Sequence, residues 1–140
     1  MPETEPEHAH HDKRPRVVVA DDDPVVRAAL SAQLAAEYDV VGLATDAAEA
    51  IALTVEQRPD LAILDVDMPE GGGLRATREI RGAVPTTTVV ALSADESDEV
   101  VRDMILAGAV NYIRKGMKSD ELGEALRASL AARPFHGDAS

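Results

Sequence analysis

The chain has no cysteine, no tryptophan and only three aromatic residues, Tyr38, Tyr112 and Phe135. Without cysteine there is no disulfide framework and no thiolate metal site, and a reducing compartment is expected. With 2% aromatics, the core has to be built from Val, Leu, Ile and Ala, which an apolar content of 45% allows. No apolar run approaches the length of a membrane helix. The acidic, His-bearing start does not read as a signal peptide. A cytoplasmic location with no membrane contact is therefore expected. Basic residues are also few: 14 Lys and Arg against 26 Asp and Glu leave a net charge of −12. That balance argues against direct nucleic-acid binding by this domain through its overall field. Lysine is scarcest, with 3 against 11 arginines, and the 24 alanines beside them suggest GC-rich coding. In such a chain a lysine is there for its own chemistry, because Arg and Lys are not interchangeable.

What is present reads as one domain with short tails. Residues 1–15 mix Pro, Glu and His without apolar periodicity and read as a disordered tail. His8, His10 and His11 could hold a transition metal weakly there, although a solvated run is the simpler reading. Residues 133–140 read as a C-terminal tail or the start of a linker. Between them, over 16–132, Val-rich runs alternate with helical stripes. After the run 17–20, Asp23 fits an N-cap and Pro24 the first position of a helix reaching about residue 37, with Val26, Leu30 and Leu34 in one stripe. A strand over 39–44 precedes a helix capped by Asp46 and carrying Ile51, Ala52 and Val55. The Arg58-Pro59-Asp60 break leads into a third strand ending at Asp65. Gly71-Gly72-Gly73 reads as a flexible loop before a short helix over 74–81, with Arg75, Arg78 and Glu79 outward. A strand over 87–92 is followed by a helix over about 98–107, expected to bury Val101, Met104 and Ile105 and to stop at Gly108. A short strand over 111–114 completes the set. Ser119 is expected to cap a last helix to about residue 132, with Leu122, Leu126 and Leu130 in line.

Five strand–helix repeats with near-continuous apolar strands predict an α/β fold whose parallel sheet is covered on both faces. Right-handed crossovers then favour the flavodoxin-like, doubly wound order 2-1-3-4-5 with five helices. In that order the first and third strands flank the topological switch point, where ligands bind beyond the carboxyl ends. Asp21, Asp22 and Asp65 fall there. The runs ending at Ser93 and Lys115 would bring a hydroxyl and an ammonium to the same rim. Three carboxylates crowded at ~5 Å repel by roughly 3 kcal/mol per pair at an effective dielectric of about 20. Such a cluster binds protons or a cation. Mg²⁺ suits it, as a hard ion that takes few carboxylates and leaves room for water or phosphate oxygens. Asp65 could then attack phosphorus as a nucleophile, with Lys115 and Ser93 reaching the phosphoryl oxygens. Each residue alone has a blander reading. Asp21 to Asp23 could be caps, and Asp23 is read as one. Ser93 could be turn chemistry, Lys115 a solvated cation and Tyr112 sheet packing.

Taken together, the chain resembles a response-regulator receiver domain of two-component signalling over about residues 16–132. The matching features are the acidic pair Asp21-Asp22, the strand and loop LAILDVDMP, the pair Ser93-Ala94, Lys115, and Tyr112 three residues before it. The resemblance implies a phosphoprotein of bacterial type. It would take a phosphoryl group on Asp65 from a sensor histidine kinase or phosphotransfer protein. It further implies Mg²⁺ held by Asp22, Asp65 and the main-chain carbonyl of Asp67, with Asp21 acting partly through water. Ser93 and Tyr112 would serve as the switch, altering the surface of the fourth helix, fifth strand and fifth helix. That surface would control an output domain or partner, with a phosphorylation-dependent homodimer as one form of response. Self-phosphotransfer and slow self-dephosphorylation would be its only catalysis. Asp67 and Asp95 lie two residues beyond the acceptor and the hydroxyl, at positions that in the family tune phosphate lifetime. Gly116 stands where the family carries Pro after the lysine, and Gly71-Gly72-Gly73 replaces a bulkier loop. Two alternatives stay open: a degenerate receiver acting as a phosphorylation-independent binding module, and a Mg²⁺-dependent phosphatase of the kind carrying a DxD motif, here Asp65-Val66-Asp67.

Overall fold

The computed structural model describes residues 13–95 and 99–132. The expectations for His8, His10, His11 and residues 133–140 lie outside that set, as does the start of the fourth helix. The order of elements is β1 (Arg16–Ala20), α1 (Pro24–Leu34), β2 (Asp39–Ala44), α2 (Ala47–Gln57), β3 (Leu61–Asp65), α3 (Gly72–Ala83), β4 (Thr88–Ser93), α4 (Glu99–Ala107), β5 (Asn111–Arg114) and α5 (Ser119–Ala132). All strand pairs are parallel and the sheet runs β2-β1-β3-β4-β5, the expected doubly wound order.

Strand alternation divides the core between the two faces of the sheet. Val17, Val19, Leu61, Ile63, Val90 and Leu92 point to one face and meet Leu30 and Leu34 of α1 and Leu122 and Leu126 of α5. Ala20, Ala62, Leu64, Val89 and Ala91 point to the other and meet Ala47 and Ala50 of α2, Ala76 and Ile80 of α3, and Val101 and Met104 of α4. At about 1.5–3 kcal/mol for each fully buried large aliphatic side chain, these layers are the main stabilising term.

The N-caps at Asp23 and Asp46 form as expected. Asp23 accepts from the Val25 N–H at 2.9 Å, and Asp46 accepts from the Glu49 N–H at 2.7 Å. Several local expectations are corrected. Helix α1 stops at Leu34 because the Leu34 carbonyl accepts from both Glu37 N and Tyr38 N, turning the chain so that Tyr38 is buried. The buried face of α2 is Ala47, Ala50 and Thr54, while Val55 and Ala52 lie outward. Ile105 is exposed, since the buried pair Val101 and Met104 sets the inner face of α4 and the next residue rotates away. Ser119 is the first residue of α5 and not its cap. The first helical carbonyl is that of Lys118, which accepts from Leu122 N, while the Ser119 hydroxyl accepts from Gln33.

The largest correction concerns the glycine run. Gly72 and Gly73 are buried in the first turn of α3, and Gly73 N–H donates to the Val66 carbonyl at 3.3 Å. A Cβ on Gly73 would lie 2.6 Å from the Asp65 carbonyl oxygen and 2.9 Å from the Met104 side chain. Glycine is needed so that α3 can start directly against the end of β3, and the segment is a close packing contact. Gly73→Ala is accordingly expected to lower stability by about 1–3 kcal/mol in urea unfolding, through overpacking against backbone.

Candidate functional site

Parallel register places the ends of β1 and β3 side by side. Ala20 pairs with Leu64, so Asp21 follows its strand where Asp65 ends its own. Asp21 N–H donates to the Ala44 carbonyl at 3.0 Å, continuing the ladder one residue past β1. Asp21 and Asp65 are both buried, at 0% and 1% exposure, whereas Asp22 is exposed. One carboxylate oxygen from each of the three lies within 4.8 Å of the others.

Lys115 bridges the two buried acids. Its Nζ lies 3.1 Å from Asp21 Oδ2 and 3.2 Å from Asp65 Oδ1. The contact to Asp21 Oδ2 is an ion pair and not a well-aligned hydrogen bond. The lysine is placed by its own backbone, since its N–H donates to the Ser93 carbonyl at 2.9 Å. The next residue, Gly116, turns the chain at φ +84°, a region that favours glycine, and no cis peptide occurs among the described residues. The loop thus holds the lysine without the family's proline. Burial works against the Lys115 charge, but the close carboxylates of Asp21 and Asp65 outweigh it and raise the ammonium pKa.

Asp65 is pushed up to about 6, first by burial and next by the charge of Asp21, with Lys115 and the Asp67 N–H pulling it back. Its Oδ1 accepts from Asp67 N–H at 3.3 Å and faces Lys115. Its Oδ2 is buried and has no hydrogen-bond partner among the described residues. A buried carboxylate oxygen without a partner is costly, and here it lies beside two further carboxylates. The donor set is all oxygen, part buried and part open, and it fits a hard divalent cation. Asp22 and Asp67 line one open cleft of about 540 Å³ with Pro69 and Gly71.

Asp21, Asp22, Asp65 and Lys115 are therefore brought together, with Asp67 at their edge. Ser93 and Tyr112 are near in the fold but engaged elsewhere. The Ser93 hydroxyl donates to the Asp95 carbonyl at 2.7 Å and accepts from Asp95 N–H at 3.0 Å, a closed serine turn. Tyr112 is half-buried and packs against the core cluster on the α2–α3–α4 face of the sheet. The Asp23 side chain caps its helix. One residue escaped the sequence reading: Arg27 of α1, whose Nη1 donates to the Asp21 carbonyl at 2.7 Å. Its spacing of six residues from Asp21 carried no pattern that marks such a contact.

A doubly wound sheet with an acid cluster and a bridging lysine at its switch point defines a receiver-type α/β domain. The family model described as response regulator receiver domain matches residues 17–127, and the chain belongs to that family. Over 120 residues it is 41% identical to the DNA-binding transcriptional activator DevR/DosR of Mycobacterium tuberculosis, covering 84% of this chain and 55% of that protein. The transcriptional regulatory protein LiaR of Bacillus subtilis is 35% identical, covering 86% of this chain and 57% of LiaR. The chain thus spans about half the length of these curated relatives. Among solved structures, the signal receiver domain of NarL from Mycobacterium tuberculosis superposes with a TM-score of 0.80 at 30% identity, covering 86% of this chain and 98% of that one. Among the described residues, no helix is long and apolar enough to cross a membrane.

Proposed function

We propose that this chain is a phosphorylation-controlled signalling switch with Asp65 as the phosphoacceptor. The observation that carries the reading is the state of Asp65. One oxygen is held by Lys115 at 3.2 Å, and the other is buried with no hydrogen-bond partner among the described residues. A carboxylate oxygen of Asp65 attacks the phosphorus of a phosphohistidine on a sensor kinase or phosphotransfer protein. The new P–O bond forms as the P–N bond breaks, and the imidazole leaves. Asp22, Asp65 and the Asp67 carbonyl, with Asp21 partly through water, would hold a Mg²⁺ ion, which would neutralise charge on the incoming phosphoryl group. Lys115 stays charged and offers its ammonium to a phosphoryl oxygen. The donor protein can seat beside Lys115 on an apolar groove of about 360 Å³ lined by Val25, Ala29, Leu30, Met117 and Leu122.

The response follows from the groups that are engaged elsewhere before phosphorylation. A phosphoryl oxygen draws the Ser93 hydroxyl out of its turn with Asp95, and Tyr112 moves into the space released. The surface of α4, β5 and α5 is then read by an output domain, a partner or a second copy. Ile105, 40% exposed on α4, supplies apolar contact there. DevR/DosR is named as a DNA-binding transcriptional activator, and this chain matches 55% of that protein.

The test is labelling of the intact chain with acetyl phosphate and Mg²⁺. One added phosphoryl group by intact mass, mapped to Asp65, is expected. No addition with the fold intact leaves a phosphorylation-independent binding module, and fast turnover of ordinary phosphate esters would mark the DxD phosphatase instead.

A further inference from the structure

We propose that Arg27 is a positioning residue whose guanidinium grips the Asp21 carbonyl and so holds Asp22 in the acid cluster. The proposal rests on reading that cluster as a Mg²⁺ site. Asp22 is exposed, and its carboxylate has no hydrogen bond or ion pair among the described residues, yet it shares the 4.8 Å cluster with Asp21 and Asp65. Its position is therefore dictated by its backbone. The Asp21 carbonyl and the Asp22 N–H belong to one rigid peptide plane. Arg27 Nη1 fixes that plane with a charge-assisted bond of 2.7 Å. The rest of Asp21 is fixed too: its N–H by the Ala44 carbonyl at 3.0 Å, and its Oδ1 by Asp23 N–H at 2.8 Å. The peptide leading to Asp22 is held by a side chain from α1, that of Arg27.

A grip and a field make opposite predictions. If Arg27 were only a nearby cation, removing it would tighten Mg²⁺ binding. If it grips, R27M weakens Mg²⁺ binding about tenfold, and R27K, which keeps one donor, stays within about threefold of wild type. The experiment is a Mg²⁺ titration of the full chain followed by amide NMR, with unfolding curves to show that each variant is folded. A displaced Asp22 amide resonance in metal-free R27M is also expected, which a general loss of stability would not single out. An R27M that does not fold is replaced by R27Q and read the same way. Unchanged or tighter Mg²⁺ binding in the folded variant overturns the proposal. Wild-type protein that binds no Mg²⁺ overturns the functional reading instead, so the two failures are distinguishable.

Discussion

Asp65→Asn is expected to take up no phosphoryl group under conditions that label the wild type, and at about pH 8 to unfold at higher urea than wild type. The first effect follows from losing the nucleophilic oxygen. The second follows from the cost of the carboxylate itself. Asp65 is 1% exposed and lies beside a second buried acid. Its pKa is raised from 3.8 to about 6. A raised acid pKa means that the folded state binds the proton more tightly than the unfolded chain does. Its contribution is therefore fully favourable below about pH 4, and it is lost as pH rises through 6. At 1.36 kcal/mol per pKa unit, ionising Asp65 costs the fold about 3 kcal/mol once the pH is well above that range. Asparagine is neutral and avoids that cost but gives up the pairing with Lys115, so a net gain of about 1–3 kcal/mol is expected.

The pH dependence isolates this residue from the other acids. The stability of Asp65→Asn minus that of wild type should be near zero at about pH 4, grow through pH 6 and level off above pH 7. A flat difference curve would mean that Asp65 is not the strained group. Mg²⁺ should close the gap at about pH 8, because it stabilises the protein that retains the carboxylate by RT ln(1 + [Mg²⁺]/Kd). A site that carries function at the expense of stability is where local rules are expected to be broken.

How much of this was legible in the sequence depended on the kind of signal. The strands were readable because apolar runs such as 61–64 stop at a polar residue, and strand order followed from the alternation with helices. The rim residues were readable because each sits at such a stop. Faces of helices were less so. On α2 the sequence shows Ile51 and Val55 as the large apolar side chains, but the sheet face beneath is lined by Ala20, Ala44 and Ala62, and the helix presses Ala47 and Ala50 against it. Small residues win the buried positions when two backbones approach closely, and size-based reading cannot see that. Gly73 misled for the same reason, because a glycine that marks flexibility and one that marks contact look alike until the carbonyl of Asp65 is placed beside it. Arg27 was missed because its partner is a main-chain carbonyl, which no residue type advertises.

Lys115→Met is expected to move metal binding and phosphoryl binding in opposite directions. Among the described residues, Lys115 is the only cation within ion-pair distance of Asp21 and Asp65, at 3.1 and 3.2 Å. Removing it leaves the buried carboxylates without their ion-paired cation. A divalent ion then meets less repulsion, and one unit charge at ~5 Å in an effective dielectric of about 20 is enough to tighten Mg²⁺ by tenfold or more. The phosphoryl group, by contrast, loses the donor aimed at its developing charge, and loss of one such donor slows transfer by roughly 10²-fold. Fold stability should drop at about pH 8 and recover on adding Mg²⁺, since the ion replaces the lost positive charge. A lysine that merely propped up the loop would weaken both kinds of binding together. Tighter Mg²⁺ with slower acetyl phosphate labelling, measured on the same preparation, is the result that assigns Lys115 to the phosphoryl group; Lys115→Arg, which keeps the charge on a bulkier fork, should then fall between the two for labelling while leaving Mg²⁺ affinity close to wild type.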